Sequence, residues 1–302
     1  MKGKNNKKSS NLKDTLVAYG FLSPWFIGFV FFTGGPIIAS IILSFTRWNL
    51  FGMPEFVGLL NYRSMFSENS QFWSSLRVTF IYTIVSVVVS VAASLGLAIL
   101  LNFKLKLMGI FRFVYFIPAV MPTVAMAAVF RLMLNREMGI INHFLMTIGI
   151  SSPPNWLNDL FWIWPTLAIL SIFTFSTGQM MLIFNSSLKE VPQHLYEACD
   201  LEGANFLQRF RHVTLPSISP IILFNTVVAT VNSFNSSFSV IYPLTGGGPG
   251  SETTVLSLSI YQYAFRMFDM GYASALAVIL FIIVALVAAI QFRISKNTVT
   301  YD

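Results

Sequence analysis

Six apolar runs, at about residues 16–43, 78–101, 113–133, 161–184, 218–242 and 272–292, alternate with shorter polar and aromatic connections along the chain. A helix crosses a bilayer in about 20 mainly apolar residues, so each run is long enough to span. The pattern predicts an all-α membrane protein of six transmembrane helices. It divides the chain into a basic tail at 1–15, a membrane domain at 16–295 and a short tail at 296–302. Pro24, Gly34, Gly35 and Pro36 fall inside the first run, and Pro118 and Pro122 inside the third. Kinks are tolerable there because neighbouring helices can satisfy the backbone groups that a kink sets free. Lys2, Lys4, Lys7, Lys8 and Lys13 ahead of the first run imitate a secretory signal. The run continues to about Ile42 without a small-residue cleavage site, so it is expected to be retained as the first crossing.

Composition agrees with the pattern. Of 302 residues, 55% are hydrophobic and 10% charged, whereas soluble proteins average about 25% charged residues. The net charge of +7 does not point to nucleic acid, because the basic residues are not interleaved with a soluble fold. Their distribution instead sets the orientation. Thirteen of the nineteen Lys and Arg lie on the side of the termini: the N-terminal lysines, Lys104, Lys106, Arg112, Lys189, Arg209, Arg211, Arg293 and Lys296. Six lie opposite (Arg47, Arg63, Arg77, Arg131, Arg136 and Arg266), while the twelve acids divide six and six. By the positive-inside rule both termini are expected in the cytoplasm. On the outer side, residues 47–72 and 134–160 are Gly, Pro and aromatic stretches suited to interfacial turns and short helices. The run Gly246 to Gly250 reads as a turn: it lacks the Gly-Lys-Ser/Thr ending of a phosphate loop and falls on the external side. The single Cys199 excludes an internal disulfide and a cysteine metal cluster, and it reads as a small semi-buried filler.

The connection at 185–217 concentrates charge in an otherwise apolar chain, with Glu190, Glu197, Asp200 and Glu202. Pro192 can occupy the first turn of a helix, where its missing N–H costs nothing. Residues Gln193 to Glu202 contain neither Gly nor Pro, and Gly203 is placed to end them as a left-handed cap. A second short helix, roughly Phe206 to Val213, would be stopped by Pro216 and Pro220. The predicted shape is a helix-turn-helix knob. Glu197, Asp200 and Glu202 would be repelled by an anionic leaflet, which favours docking into a protein groove over lying on lipid headgroups.

Glu197, Ala198 and Cys199 are followed by Gly203 after three residues, and then, after nine more, by Val213, Thr214, Leu215 and Pro216. This spacing resembles the cytoplasmic loop of binding-protein-dependent ABC importer permeases, Glu-Ala-Ala, three residues, Gly, nine residues, Ile, one residue, Leu-Pro. Cys199 for alanine and Val213 for isoleucine are the departures, both small. The segments GLLNYRSMF, Pro118 to Pro122 with GIINHFL, and LTGGGPGSETTVLSLSIYQYAF look like carbohydrate-uptake permeases of the maltose and glycerol-phosphate type, a likeness that covers essentially residues 12 to 295. The resemblance implies an inner-membrane subunit paired with a second permease, two cytoplasmic ATPase subunits and an extracellular solute-binding protein that delivers a sugar. It also implies a coupling helix between crossings 4 and 5, with Glu197, Ala198, Cys199, Gly203, Leu215 and Pro216 as the ATPase-coupling residues. No Walker sequence occurs in the chain, so ATP and magnesium would sit on the partner ATPase; no cofactor, metal site or enzymatic activity is expected here.

A sugar needs hydrogen-bonding side chains and aromatic faces, both costly in lipid. In the fifth run Thr230, Ser233, Phe234 and Ser237 recur at helical spacing, and in the fourth Phe175, Ser176 and Gln179. The resemblance puts substrate contacts at these positions too, and the alternative is helix–helix glue by small polar residues. Asn232 and Asn235 lie off the stripe and read as interhelical. The stripe has no charged residue, which favours a neutral solute, with a non-sugar solute such as glycerol phosphate or a peptide as the competing cargo. A secondary transporter would need intramembrane ionisable residues for coupling ions, which the runs nearly lack. A membrane-embedded enzyme would need clustered nucleophiles, carboxylates or histidines, and His143, His194 and His212 stand apart.

Overall fold

In the computed structural model the described residues are 5–68, 70–102, 109–110, 113, 117, 120–173 and 175–295, with the side chains of 5–13, 175–176 and 295 left out. Lys2, Lys4, Lys104, Lys106, Arg112, Pro118, Lys296 and the tail 296–302, all used in the sequence reading, lie outside them. The described structure is almost entirely helical. The first run is built from α1 (Asn5–Phe29), a π turn (Val30–Gly34) and α2 (Gly35–Leu43). Pro36 stands in the first turn of α2, where no N–H is required, and the chain reaches it through the π turn without a break.

Then come the strands β1 (Thr46–Arg47) and β2 (Glu55–Phe56), followed by α3 (Leu60–Met65), α4 (Gln71–Asn102), α5 (Thr123–Met133) and α6 (Ile140–Thr147). The strands pair antiparallel, Thr46 with Phe56 and Arg47 with Glu55. This ladder stands where turns and short helices were expected. Next are α7 (Leu160–Ile172), α8 (Phe175–Glu190), α9 (Gln193–Leu201), α10 (Phe206–Arg209), a π turn (Phe210–Thr214), α11 (Leu215–Ser217) and α12 (Ser219–Leu244). The described chain ends with α13 (Leu256–Tyr261), a π turn (Gln262–Arg266) and α14 (Met270–Ser295).

Among the described residues, three helical stretches are long and apolar enough to cross a membrane: Asp14–Leu43, Gln71–Asn102 and Met270–Ile294. The number rises to five if two bent pairs each count as one span. One pair is Leu160–Ile172 with Thr177–Glu190, bent by 53°; the other is Phe206–Ser217 with Ser219–Leu244, bent by 70°. The third run is described as a helix over Thr123–Met133.

The chain forms two compact units, 1–65 with 263–278 and 66–262 with 279–302. In the first, the Asn61 amide donates to the carbonyls of Ser44 and Thr46, both at 2.9 Å, and the Met270 amide donates to Trp48 at 2.9 Å. Gly271 lies so close to the Thr46 carbonyl that a Cβ would stand 1.9 Å from its oxygen. None of the apolar window of Asp14–Leu43 is buried.

In the second unit, α7, α8 and α12 pack against α4. Two apolar cores result, one around Ile163, Leu167, Ile241, Leu244 and Leu258, the other around Met180, Met181, Phe184, Leu188 and Ile218. The face that α4 turns inward is a ladder of hydroxyls at helical spacing: Ser75, Thr79, Thr83, Ser86, Ser90 and Ser94, all buried. Ser75 bonds Ser259 at 2.9 Å, Thr79 accepts the Leu256 amide at 2.8 Å, and Ser86 bonds Ser233 at 2.7 Å. Further along, Ser90 donates to the Ser171 carbonyl and Ser94 to the Thr177 carbonyl, at 3.1 and 3.0 Å. These last two bonds satisfy carbonyls on either side of the bend between α7 and α8, where a broken ladder would leave acceptors bare.

Candidate functional site

The connection between α8 and α12 takes the predicted helix-turn-helix form, and its shape is encoded locally. Pro192 is the residue immediately before α9, one position earlier than expected, with extended backbone (φ −59°, ψ 128°). Gly203 adopts φ +72°, the left-handed conformation that favours glycine. Around it the Gly203 amide bonds the Asp200 carbonyl at 3.1 Å and the Ala204 amide bonds the Cys199 carbonyl at 3.0 Å. This pair of bonds is a Schellman closure, which satisfies the last carbonyls of the helix while reversing the chain. Two residues later a capping box opens α10: Asn205 Oδ1 accepts the Gln208 amide at 2.9 Å, and Gln208 Oε1 accepts the Asn205 amide at 2.8 Å.

The second helix does not stop before Pro216. It passes through the π turn and α11 to Ser217, and the sharp change of direction comes at Ile218. Tyr196 reaches across from α9 to the Thr214 hydroxyl at 3.0 Å, and the Arg209 guanidinium pairs with Asp200. Both contacts brace the two helices at a fixed angle.

What the knob leaves uncovered is informative. Glu197, Ala198, Leu215 and Pro216 are exposed and Cys199 is half-exposed, with Glu197 Oε1 accepting the Gln193 amide at 2.9 Å. Leu201 is 91% exposed, Leu207 69% and Phe206 55%. Hollows open on two sides of α9, one lined by Ile99, Leu188, Tyr196, Phe210 and Arg209, the other by Glu190, Leu195, Pro216 and Ile221. An exposed apolar surface on a rigid, locally capped element is what a docking knob requires.

Deeper in the bundle, a narrow cleft is lined by Tyr82, Ser86, Ser90, Ser171, Ser233 and Ser236, with Val87 and Ala229. Ser86 lies at the middle of α4, so the cleft sits between the two apolar cores. The fifth-run stripe is brought to this region. Thr230, Ser233, Phe234 and Ser237 are all buried. Ser233 meets Ser86, Phe234 meets Phe80 edge-on at 5.9 Å, Ser237 meets Ser257 at 2.7 Å, and Thr230 receives the Gln291 amide at 2.9 Å. Gln179 is exposed, and the side chains of Phe175 and Ser176 lie outside the described residues. The sequence reading did not single out the serines of α4 or Ser171 and Ser236. A Ser/Thr recurrence at steps of three and four through 75–94 is the signal for the hydroxyls of α4 alone. The cleft is lined by hydroxyls, of which Ser86 and Ser233 bond each other and Ser90 bonds the Ser171 carbonyl. Among the described residues no three His, Cys, Asp or Glu stand together to hold a metal. His212 Nδ1 lies 2.9 Å from the Gln208 carbonyl within its own helix.

Residues 90–299 match the family described as binding-protein-dependent transport system inner membrane component. The probable ABC transporter permease protein YesP of Bacillus subtilis is 39% identical over 98% of this chain and 96% of its own length. The trehalose/maltose transport system permease protein MalF of Thermococcus litoralis is 32% identical over 97% and 98%. A chain in the crystal structure of a bacterial alginate ABC transporter, in complex with a periplasmic protein holding an alginate pentasaccharide, superposes with a TM-score of 0.82 at 19% identity, covering 96% of this chain and 97% of that one.

Proposed function

The chain belongs to the family of binding-protein-dependent transport system inner membrane components, and from that membership we propose that it is a permease subunit of an ATP-driven importer for a sugar or oligosaccharide. It is a multi-pass component of the inner membrane. The full arrangement would have six crossings with both termini in the cytoplasm, a second permease beside it, two ATPase subunits beneath it and a solute-binding protein outside. Sugar as cargo is supported by relatives such as the trehalose/maltose transport system permease and by the hydroxyl lining of the central cleft. ATP and magnesium would be held by the partner ATPase.

The observation that carries the reading is the exposed knob at 192–217, rigid by its own caps and apolar at its tip. In the proposed mechanism the ATPase pair grips α9 through Glu197 and the surrounding apolar side chains. Movement of α9 passes directly into α8, a sixteen-residue helix joined to α7 at the bend that Ser90 and Ser94 hold. Rotation of α8 about that bend would open and close the cleft, bringing Gln179 and the stripe Thr230, Ser233, Phe234 and Ser237 into the path in one state and packing the stripe away in the other.

The test is reconstitution of the chain with its co-assembling permease, ATPase and binding protein in liposomes. Uptake of an oligosaccharide that requires ATP and the binding protein supports the reading. Uptake that persists without the ATPase subunit would mean a secondary transporter and overturn it.

A further inference from the structure

α12 carries two opposed polar faces that differ in burial. Thr230, Ser233, Phe234 and Ser237 face inward and are paired. On the opposite side Phe224, Val228, Val231, Asn235, Ser239 and Tyr242 follow one another at steps of three and four residues. Phe224 and Asn235 are exposed and the others half-exposed. Asn235 is not interhelical within this chain, contrary to its reading from sequence. It lies nine residues from the outer end of α12, about 14 Å along the axis at 1.5 Å per residue, within the depth of the hydrocarbon. An amide there cannot face lipid without a large desolvation cost, so this face looks onto protein or onto water.

The residue types favour water and solute. Close packing of a second helix in a membrane is favoured by Gly and Ala at four-residue spacing, whereas this face presents Phe, Val, Asn and Tyr. At its outer end Phe238 stacks on Tyr242 with ring centroids 5.2 Å apart and planes 11° apart, and Tyr261 joins both at 5.0 and 5.2 Å. The three rings rest on the core on one side and are open on the other. Half-open aromatic faces beside an amide and a hydroxyl match the alternating C–H and O–H surfaces of a sugar ring. Ser236, the neighbour of Asn235 in sequence, lines the hydroxyl-lined cleft.

We infer that the outer polar–aromatic face of α12, centred on Asn235 with Ser239 and Tyr242, lines the translocation path and that Asn235 is a specificity-determining contact for the hydroxylated solute. This rests on the importer reading above. The test uses the reconstituted complex with its binding protein and a panel of oligosaccharides. Asn235→Leu is expected to lower uptake of the preferred sugar about tenfold, the worth of one neutral hydrogen bond, with co-purification of the second permease unchanged, and Asn235→Gln to restore part of it. In a Cys199→Ala background, Asn235→Cys should react with a membrane-impermeant maleimide and be protected by the sugar-loaded binding protein. Unchanged uptake by Asn235→Leu, no labelling of Asn235→Cys, or loss of the second permease on substitution would each overturn the inference, the last by assigning the face to the partner. Failure of the unmodified complex to transport any carbohydrate would instead sink the importer reading.

Discussion

At its C-terminal end α12 runs into a turn through Gly246, Gly247 and Gly250, all with positive φ, and the chain then disappears into the core. Ahead of α12, beyond α10 and α11, the chain turns at Gly203, equally left-handed, and stays exposed. The turn after α12 is completed from within. Thr253 bonds Thr245 at 2.8 Å and the Gly248 carbonyl at 2.7 Å, and a Cβ on Gly247 would stand 2.6 Å from the Thr254 hydroxyl. Thr253, Val255, Leu256 and Leu258 are fully buried, and α13 is bound to α4 through Thr79 and Ser75. The turn at Gly203 is equally well capped, yet Leu201, Leu207 and Phe206 beside it stand exposed. Local hydrogen bonding is satisfied in both places, so what differs is the apolar surface left over. One connection is covered by its own chain, while the other is shaped by its own caps and keeps its apolar side chains exposed.

The largest effect that separates the two should come from Gly203→Val. Nothing crowds the site, so the penalty is conformational: a β-branched residue must hold φ near +72°. Sugar uptake by the reconstituted complex should fall by about tenfold or more, with ATPase activity uncoupled and membrane insertion unchanged, and normal transport would remove the knob from the mechanism. Next in size, Leu201→Asp with Leu207→Asp should abolish co-purification of the ATPase while changing the thermal stability of the isolated subunit by less than about 0.5 kcal/mol, as expected for surface positions. Thr79→Val should do the reverse. It leaves the buried Leu256 amide without its acceptor, costing about 1–3 kcal/mol in a denaturation measurement, with ATPase binding intact. Smallest of all, Asp200→Ala should change stability by at most about 1 kcal/mol, since its pair with Arg209 is between a third and a half exposed on average. A larger loss would show that the pair, and not the Schellman closure, sets the angle between α9 and α10.

Some of this was legible in the sequence for clear physical reasons. The runs that became Asp14–Leu43, α4, α12 and α14 are long and apolar, and Gly203 after an uninterrupted helical stretch announces its own cap. The capping box Asn205–Gln208 was equally legible at its three-residue spacing and was not drawn. The bend between α7 and α8 has Gly178 beside it, but its carbonyls are satisfied by serines 81 and 83 positions away, a long-range fact that local pattern cannot hold. The passage of the helix through Pro216 depends on the π turn before it, which changes which carbonyl the missing N–H would have used. The stripe on α12 was recognised as polar, but periodicity alone could not say which of the two polar faces packs inward.

Buried groups in the second unit also mark where the chain is unfinished. Both polar atoms of the Asn225 side chain, and Nδ2 of Asn185 on α8, are buried without a hydrogen-bond partner. An unpaired buried amide costs about 1–3 kcal/mol. Asn225→Leu should therefore raise the thermal stability of the subunit by an amount of that order, and a simultaneous fall in transport would mean that the amide finds its partner in the other state of the cycle.

Hydrogen exchange of the backbone amides, measured on the permease complex with and without the ATPase subunits, tests the docking role of the knob most directly. The predicted result is slowed exchange across 193–209 when the ATPase is present, with 245–261 equally protected in both samples. Unchanged exchange across 193–209, or new protection confined to other segments, would contradict it.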